Sequence, residues 1–307
     1  LSFACALVGG CARIMWSDGT QGEENKPVDV KEKVTVYQTK ETEDGIRYGF
    51  AGLNCLGLLA CVVVGLILFI KKDTKLIRAA SIKFCLLSLV GAALMFAEAL
   101  TVVDYPREEL HCSLQVWTYN IGFAVLFGAL FAKEWRISKI FNNVQLTRVA
   151  ISDKDLFAYT GGIVGSMAVI MAVWQIINPV PVKKEYESVV TETKYQEITT
   201  TTVSSYCGFT EEDSKYFYYV AMFFKALLLA WGVMLCVQTR SVTDIFNESK
   251  QIALAVYLTA LLVIMRFVID MANISADEPD IEYIINSILT VFIVSATVGV
   301  LYAAKIA

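Results

Sequence analysis

Seven stretches of this chain are each long and apolar enough to cross a bilayer as a helix, near residues 48–70, 80–103, 113–135, 156–178, 215–237, 251–272 and 282–304. A hydrocarbon core of ~30 Å takes ~20 helical residues to span. No self-similar period and no inverted pair of broken helices breaks the series, so the seven spans read as one bundle. The fold class that follows is an all-α membrane protein, a seven-transmembrane helix bundle. Composition agrees, because 56% of the residues are hydrophobic, above the roughly 45–50% of soluble domains. A net charge of -4 with scattered basic residues leaves no footprint for nucleic acid.

The short loops carry the orientation. Lys71, Lys72, Lys75 and Arg78 follow the first span, and Lys139, Arg148 and Lys154 follow the third, beside Lys133 and Arg136. The loop "DYPREEL" after the second span has only Arg107, and "NISADEPD" after the sixth has no basic residue. Basic loops are held on the cytoplasmic side. A multi-pass protein of the plasma membrane is expected, with the N-terminus outside and the C-terminus in the cytoplasm.

On that topology Cys112 opens the third span on the outer side, and Cys207 lies in the long outer loop before the fifth. Both would face an oxidising compartment, where a disulfide between them persists and ties the loop over the bundle mouth. Cys55, Cys61, Cys85 and Cys236 fall within spans and read as core or lipid-facing thiols. No CxxC pair occurs and His111 is the single histidine, so no metal site and no cofactor are expected. For the same reason no nucleophile with a base can be assembled, and an enzyme is not expected.

The loop from Pro179 to about Lys215 is rich in Val, Thr and Tyr with much period-two alternation. That composition favours an extracellular β-hairpin in the second outer loop over a disordered charged loop. Asn273-Ile274-Ser275 makes a glycosylation sequon in the outer loop after span six; Asn247-Glu248-Ser249 repeats the pattern on the cytoplasmic side, where it goes unused.

Charges inside apolar spans are rare and functional suspects by default. Glu98, Lys225, Arg266 and Asp270 are of this kind, and Arg266 and Asp270, four residues apart, share a helix face. They read either as an ion network that fixes packing, as a ligand or switch site, or as the polar path of a transporter or channel. Gly161, Gly162, Gly165 and Ser166 have small-xxx-small spacing in span four, which allows close helix contact within the bundle or with a second chain. The run "LFGALFAKEWRISKIF" (126–141) closes span three with Lys133, Trp135 and Arg136. On spacing alone these are interfacial anchors, with Trp at headgroup level and Lys or Arg reaching to water.

Four stretches in register carry a family resemblance: "IGFAVLFGALFAKEWRISKIF", "WQIINP" (Trp174 to Pro179), "FFKALLLAWGVMLCVQTRSV" (Phe223 to Val242) and "FNESKQIALAVY" (Phe246 to Tyr257). Over roughly residues 48–306 the chain resembles the class C G-protein-coupled receptors, in particular the metabotropic (type B) GABA receptors. The resemblance implies a receptor domain at 48–306 that passes an extracellular signal to a heterotrimeric G protein by rearranging spans three, five and six. Cys112 and Cys207 match the family's extracellular disulfide, and Lys225 matches a family lysine of span five. Lys133 matches the basic residue that pairs with an acid before span six in the inactive state, here Glu248. Arg136, Lys139, Arg148 and Arg240 then face the G protein, with Trp135 an anchor or a further contact. A homo- or heterodimer with another class C subunit and contact with membrane lipid are also implied.

Two departures stand out. Asn178 replaces the usual Asp, and span seven ends "YAAK" (Tyr302 to Lys305) where the family reads Phe-x-Pro-Lys. Residues 1–47 read as an extracellular stalk or the remnant of a ligand-binding ectodomain, and the chain as a truncated piece of a longer receptor. A non-signalling partner of a larger receptor is the further alternative.

Overall fold

The computed structural model describes residues 5–6, 10–11, 32–39, 44–74, 81–102, 109–141, 151–177, 182–192, 196–207, 212–239, 247–271 and 279–306. Among them are seven long helices: α1 (Asp44–Ile70), α2 (Ile82–Glu98), α3 (Glu109–Phe141), α4 (Asp153–Ile177), α5 (Glu212–Thr239), α6 (Asn247–Met271) and α7 (Pro279–Ile306). Six are long and apolar enough by themselves to cross a membrane. The seventh, α2, has 17 residues and continues into a 3₁₀ turn over Ala99–Val102. The helices form a multi-pass membrane bundle.

Helix α3 is the axis of the bundle. It packs against α2, α4, α5 and α6, while α1 packs on α2 and α7, and α7 also meets α6 and α2. Its apolar window is 61% buried, against 17% for α1. The reason lies in its sequence: Phe123, Phe127 and Phe131 recur at i, i+4 and i+8, so they share one face. All three are fully buried, with ring centroids 4.6 and 5.9 Å apart. The outer helices instead turn Leu53, Leu56, Leu59, Leu66 and Phe69 of α1, and Leu261, Ile264 and Val268 of α6, outward, as lipid tails require.

Because lipid is as apolar as leucine, close packing rather than hydrophobic transfer holds such helices together. The tightest crossing is α2 on α3. A Cβ built on Gly91 would fall 2.8 Å from the Gly122 carbonyl oxygen, and one on Gly122 would fall 2.9 Å from the Gly91 carbonyl oxygen. Two backbones touch there, which only paired glycines permit. Gly161, Gly162 and Gly165 have open space where a Cβ would go, so the small-residue face of α4 makes no close contact within the described bundle.

Beyond the helices, β1 (Cys5–Ala6) pairs with β2 (Gly10–Cys11). β4 (Val182–Glu192) and β5 (Gln196–Cys207) pair antiparallel, from Val182 opposite Cys207 to Glu192 opposite Glu197. β3 (Glu32–Thr39) joins the free edge of β5 in parallel, Glu32 opposite Gln196 through Thr39 opposite Val203. The sheet order is β3-β5-β4, so the segment that precedes α1 is hydrogen-bonded to the segment that leads into α5.

Candidate functional site

The polar side chains gather where α3 ends. From Lys133 to Ser138 the helix presents a polar residue to almost every neighbour, because consecutive residues point ~100° apart around a helix axis. The Lys133 ammonium donates to the Cys85 Sγ of α2 at 3.3 Å. Lys133 is only 8% exposed, which is not the exposure of a lysine snorkelling to water. Glu134, fully buried, accepts from the Thr239 hydroxyl of α5 at 3.0 Å. Trp135 stacks on Tyr159 of α4, with centroids 5.5 Å apart and planes at 7°. Ser138 donates to Gln238 Oε1 of α5 at 2.8 Å.

Arg136 forks between two helix starts. One guanidinium nitrogen donates to Ser81 Oγ at 3.1 Å and another to Asp153 Oδ1 at 2.7 Å, with Lys83 also on Asp153 at 3.2 Å. Ser81 has a φ of 55°, an uncommon conformation for a residue with a side chain, and its carbonyl accepts the Phe84 N–H at 3.0 Å to open α2. Asp153 lies in the first turn of α4, where the helix dipole favours an acid. The turn is closed by a reciprocal cap: Ser152 N donates to Asp155 Oδ2 at 3.0 Å, and Asp155 N to Ser152 Oγ at 3.3 Å.

Helix α7 reaches the same place. Tyr302 is buried, and its hydroxyl donates to the Cys85 carbonyl at 2.9 Å and meets Ser88 Oγ at 2.5 Å. Cys85 therefore offers its thiol to α3 and its carbonyl to α7.

At the other end of the bundle Glu98, also buried, accepts from Gln115 Nε2 of α3 at 3.0 Å. Arg266 and Lys225 lie within electrostatic reach of Glu98. The Lys225 ammonium lies 4.8 Å from the Tyr119 ring centroid and 5.9 Å from that of Phe123, so α3 supplies a cation–π seat. Cys112, in the first turns of α3, is disulfide-bonded.

Arg148, Arg240 and Asn273 lie outside the described residues, as do the side chains of Cys207, Glu248 and Asp270. Glu248 stands by its backbone in the first turn of α6, and Lys139 is exposed near the end of α3. Glu134, Thr239, Ser88, Cys85 and Tyr302 had no site role in the sequence, although Cys85 stood out as a thiol within a span and Tyr302 in a departure from the family pattern. Glu134 carried a signal, a carboxylate directly after Lys133 in an apolar run. Thr239 and Ser88 did not, since hydroxyl residues are ordinary in membrane helices.

Comparison with known proteins places this architecture. Residues 40–305 match the family described as "7 transmembrane sweet-taste receptor of 3 GCPR". The chain is 29% identical over 252 residues to metabotropic glutamate receptor-like protein E of Dictyostelium discoideum, covering 81% of this chain and 29% of that protein. It is 25% identical over 264 residues to gamma-aminobutyric acid type B receptor subunit 2 of Rattus norvegicus, covering 83% and 28%. Metabotropic glutamate receptor-like protein F of Dictyostelium discoideum is 26% identical over 221 residues, covering 72% and 28%. The chain thus spans less than a third of the length of each of these relatives. With α3 as axis, seven helices in series and a family match across nearly all of them, this chain belongs to the class C G-protein-coupled receptors, whose transmembrane domain it carries.

Proposed function

We propose that this chain is the transducing domain of a type B GABA receptor-like protein, and that Lys133 is its resting-state switch. The observation that carries the proposal is the position of Lys133: a cation buried at one end of the helix that touches α2, α4, α5 and α6. Glu248 begins α6 at that same end of the bundle. A lysine–glutamate pair bridging α3 and α6 there contributes about 1–3 kcal/mol. That is enough to bias a two-state bundle without locking it.

In this reading the α3 end faces the cytoplasm and admits a heterotrimeric G protein when α3, α5 and α6 rearrange. Exposed Lys139, with Arg148 and Arg240, lies toward the G protein. Arg136 is occupied between α2 and α4, and positions that face more than it contacts a partner. The sheet and Cys112 then lie outside the cell, with Cys207 the partner of Cys112 and Asn273 carrying a glycan. Residues 1–47 are an extracellular stalk or the remnant of a ligand-binding ectodomain before a receptor domain at 48–306, the protein works as a dimer with another class C subunit, and lipid surrounds it. Glu98, Lys225, Arg266 and Asp270 form the outer network that fixes the resting packing.

The test is basal guanine-nucleotide exchange in lipid nanodiscs with purified heterotrimeric G proteins. Lys133→Glu is expected to raise exchange about tenfold, and adding Glu248→Lys to return it toward the starting level. Unchanged exchange in the single variant removes the switch.

A further inference from the structure

We infer that Tyr302 is a positioning residue of this switch: its hydroxyl latches α7 to α2 at Cys85, the residue whose thiol receives Lys133. The inference rests on the receptor reading above. Three helices converge on Cys85, with α3 bound through the Lys133 ammonium at 3.3 Å and α7 through the Tyr302 hydroxyl at 2.9 Å. Cys85 and Ser88 are 1% exposed and Tyr302 is 2% exposed, so water does not replace these bonds.

The hydrogen count makes the latch selective. Ser88 Oγ also lies within hydrogen-bond distance of the Cys85 carbonyl, at 2.9 Å. Two hydroxyl protons thus serve three contacts among Ser88, Tyr302 and the carbonyl. That carbonyl has two lone pairs, and within a helix one of them takes an N–H. One hydroxyl therefore donates to the carbonyl and the other to its neighbouring hydroxyl.

Without the Tyr302 hydroxyl, Ser88 donates its own proton to the Cys85 carbonyl, an arrangement serines commonly adopt in helices. What is lost is the tie across to α7. A free α7 end loosens the turn of α2 that presents Cys85 to Lys133. Tyr302→Phe thus acts on the switch while leaving the Ser88 back-bond to Cys85 in place.

The experiment measures basal nucleotide exchange for this chain in lipid nanodiscs, with G-protein heterotrimers from each principal Gα class, for Tyr302→Phe, Lys133→Glu and the double variant. Tyr302→Phe is expected to raise exchange about fivefold, and the double variant to exceed Lys133→Glu by less than about twofold, as residues of one coupled unit do. A rise in Lys133→Glu with none in Tyr302→Phe overturns the latch and leaves the receptor reading standing. Fully multiplicative effects overturn the coupling through Cys85, and no rise in any variant overturns both readings. If Tyr302→Phe is not recovered folded, Ser88→Ala removes the 2.5 Å contact, one of the two by which the Tyr302 hydroxyl holds α2, and is expected to raise exchange about twofold; no rise there overturns the latch.

Discussion

Glu134 shows how much a single residue decides at the end of α3. It is fully buried beside a buried lysine, and such a carboxylate persists only with donors aimed at it. Thr239 supplies one at 3.0 Å, sharing its proton with the Leu235 and Cys236 carbonyls of its own helix at 3.1 and 3.2 Å. Thr239→Val keeps the shape and removes the donor, and a hydrogen bond to a charged group is worth about 1.5–3 kcal/mol. The variant is expected to lower the thermal unfolding midpoint in detergent, while Thr239→Ser keeps it. Equal midpoints for Val and Ser would show that other partners carry Glu134 alone. Lys133 stood out in the sequence because a charge in an apolar run is costly wherever its helix lies. Thr239, Ser88 and Tyr302 became visible only through contacts such as Ser88 with Tyr302, 214 residues apart, for which a sequence has no local sign.

Among the helices, glycine spacing looks the same in two places and does different things. Gly161 and Gly165 on α4 have the spacing that allows close approach, yet nothing lies within 4 Å of a Cβ at either. Gly91 and Gly122 sit on different helices, have no common motif, and form the tightest crossing in the bundle. A Cβ on Gly91 meets backbone atoms of Leu126 and Gly122, which cannot swing aside as a side chain does. Gly91→Ala is therefore expected to part α2 from α3 and cost about 1–3 kcal/mol, read as a lower unfolding midpoint. Gly161→Ala and Gly165→Ala are expected to fall within about 0.5 kcal/mol of the parent. A loss at Gly161 as large as at Gly91 would mean that the α4 face is covered in the membrane by a second chain. The spans themselves were legible because hydropathy over ~20 residues is a local property. The small-residue contact was not, because it depends on which faces meet.

Across the whole molecule, the sheet binds segments that the helices alone would leave apart. β3 precedes α1 and β5 leads toward α5, so the sheet ties the start of the first helix to the segment before the fifth. β5 is the central strand, held by β4 on one edge and β3 on the other. This parallel pairing had no sign in the sequence, since it joins positions such as Val34 and Ile198 that are far apart in the chain. It has a direct test. Along a strand successive N–H groups point to opposite edges, so of Val34 and Thr35 one donates to β5 and the other points away. β3 is an edge strand, and proline is tolerated where an edge N–H faces outward but removes a ladder bond where it faces in. One of Val34→Pro and Thr35→Pro is therefore expected to speed amide exchange over residues 196–203 by about tenfold, and the other to change it little. Exchange in α3 and α5 is expected to stay as it was in both, because the helical bundle closes its own hydrogen bonds. If neither proline alters exchange in β5, the β4 pairing alone holds that strand. Motion of the segment before α1 then has no route to the bundle through the sheet.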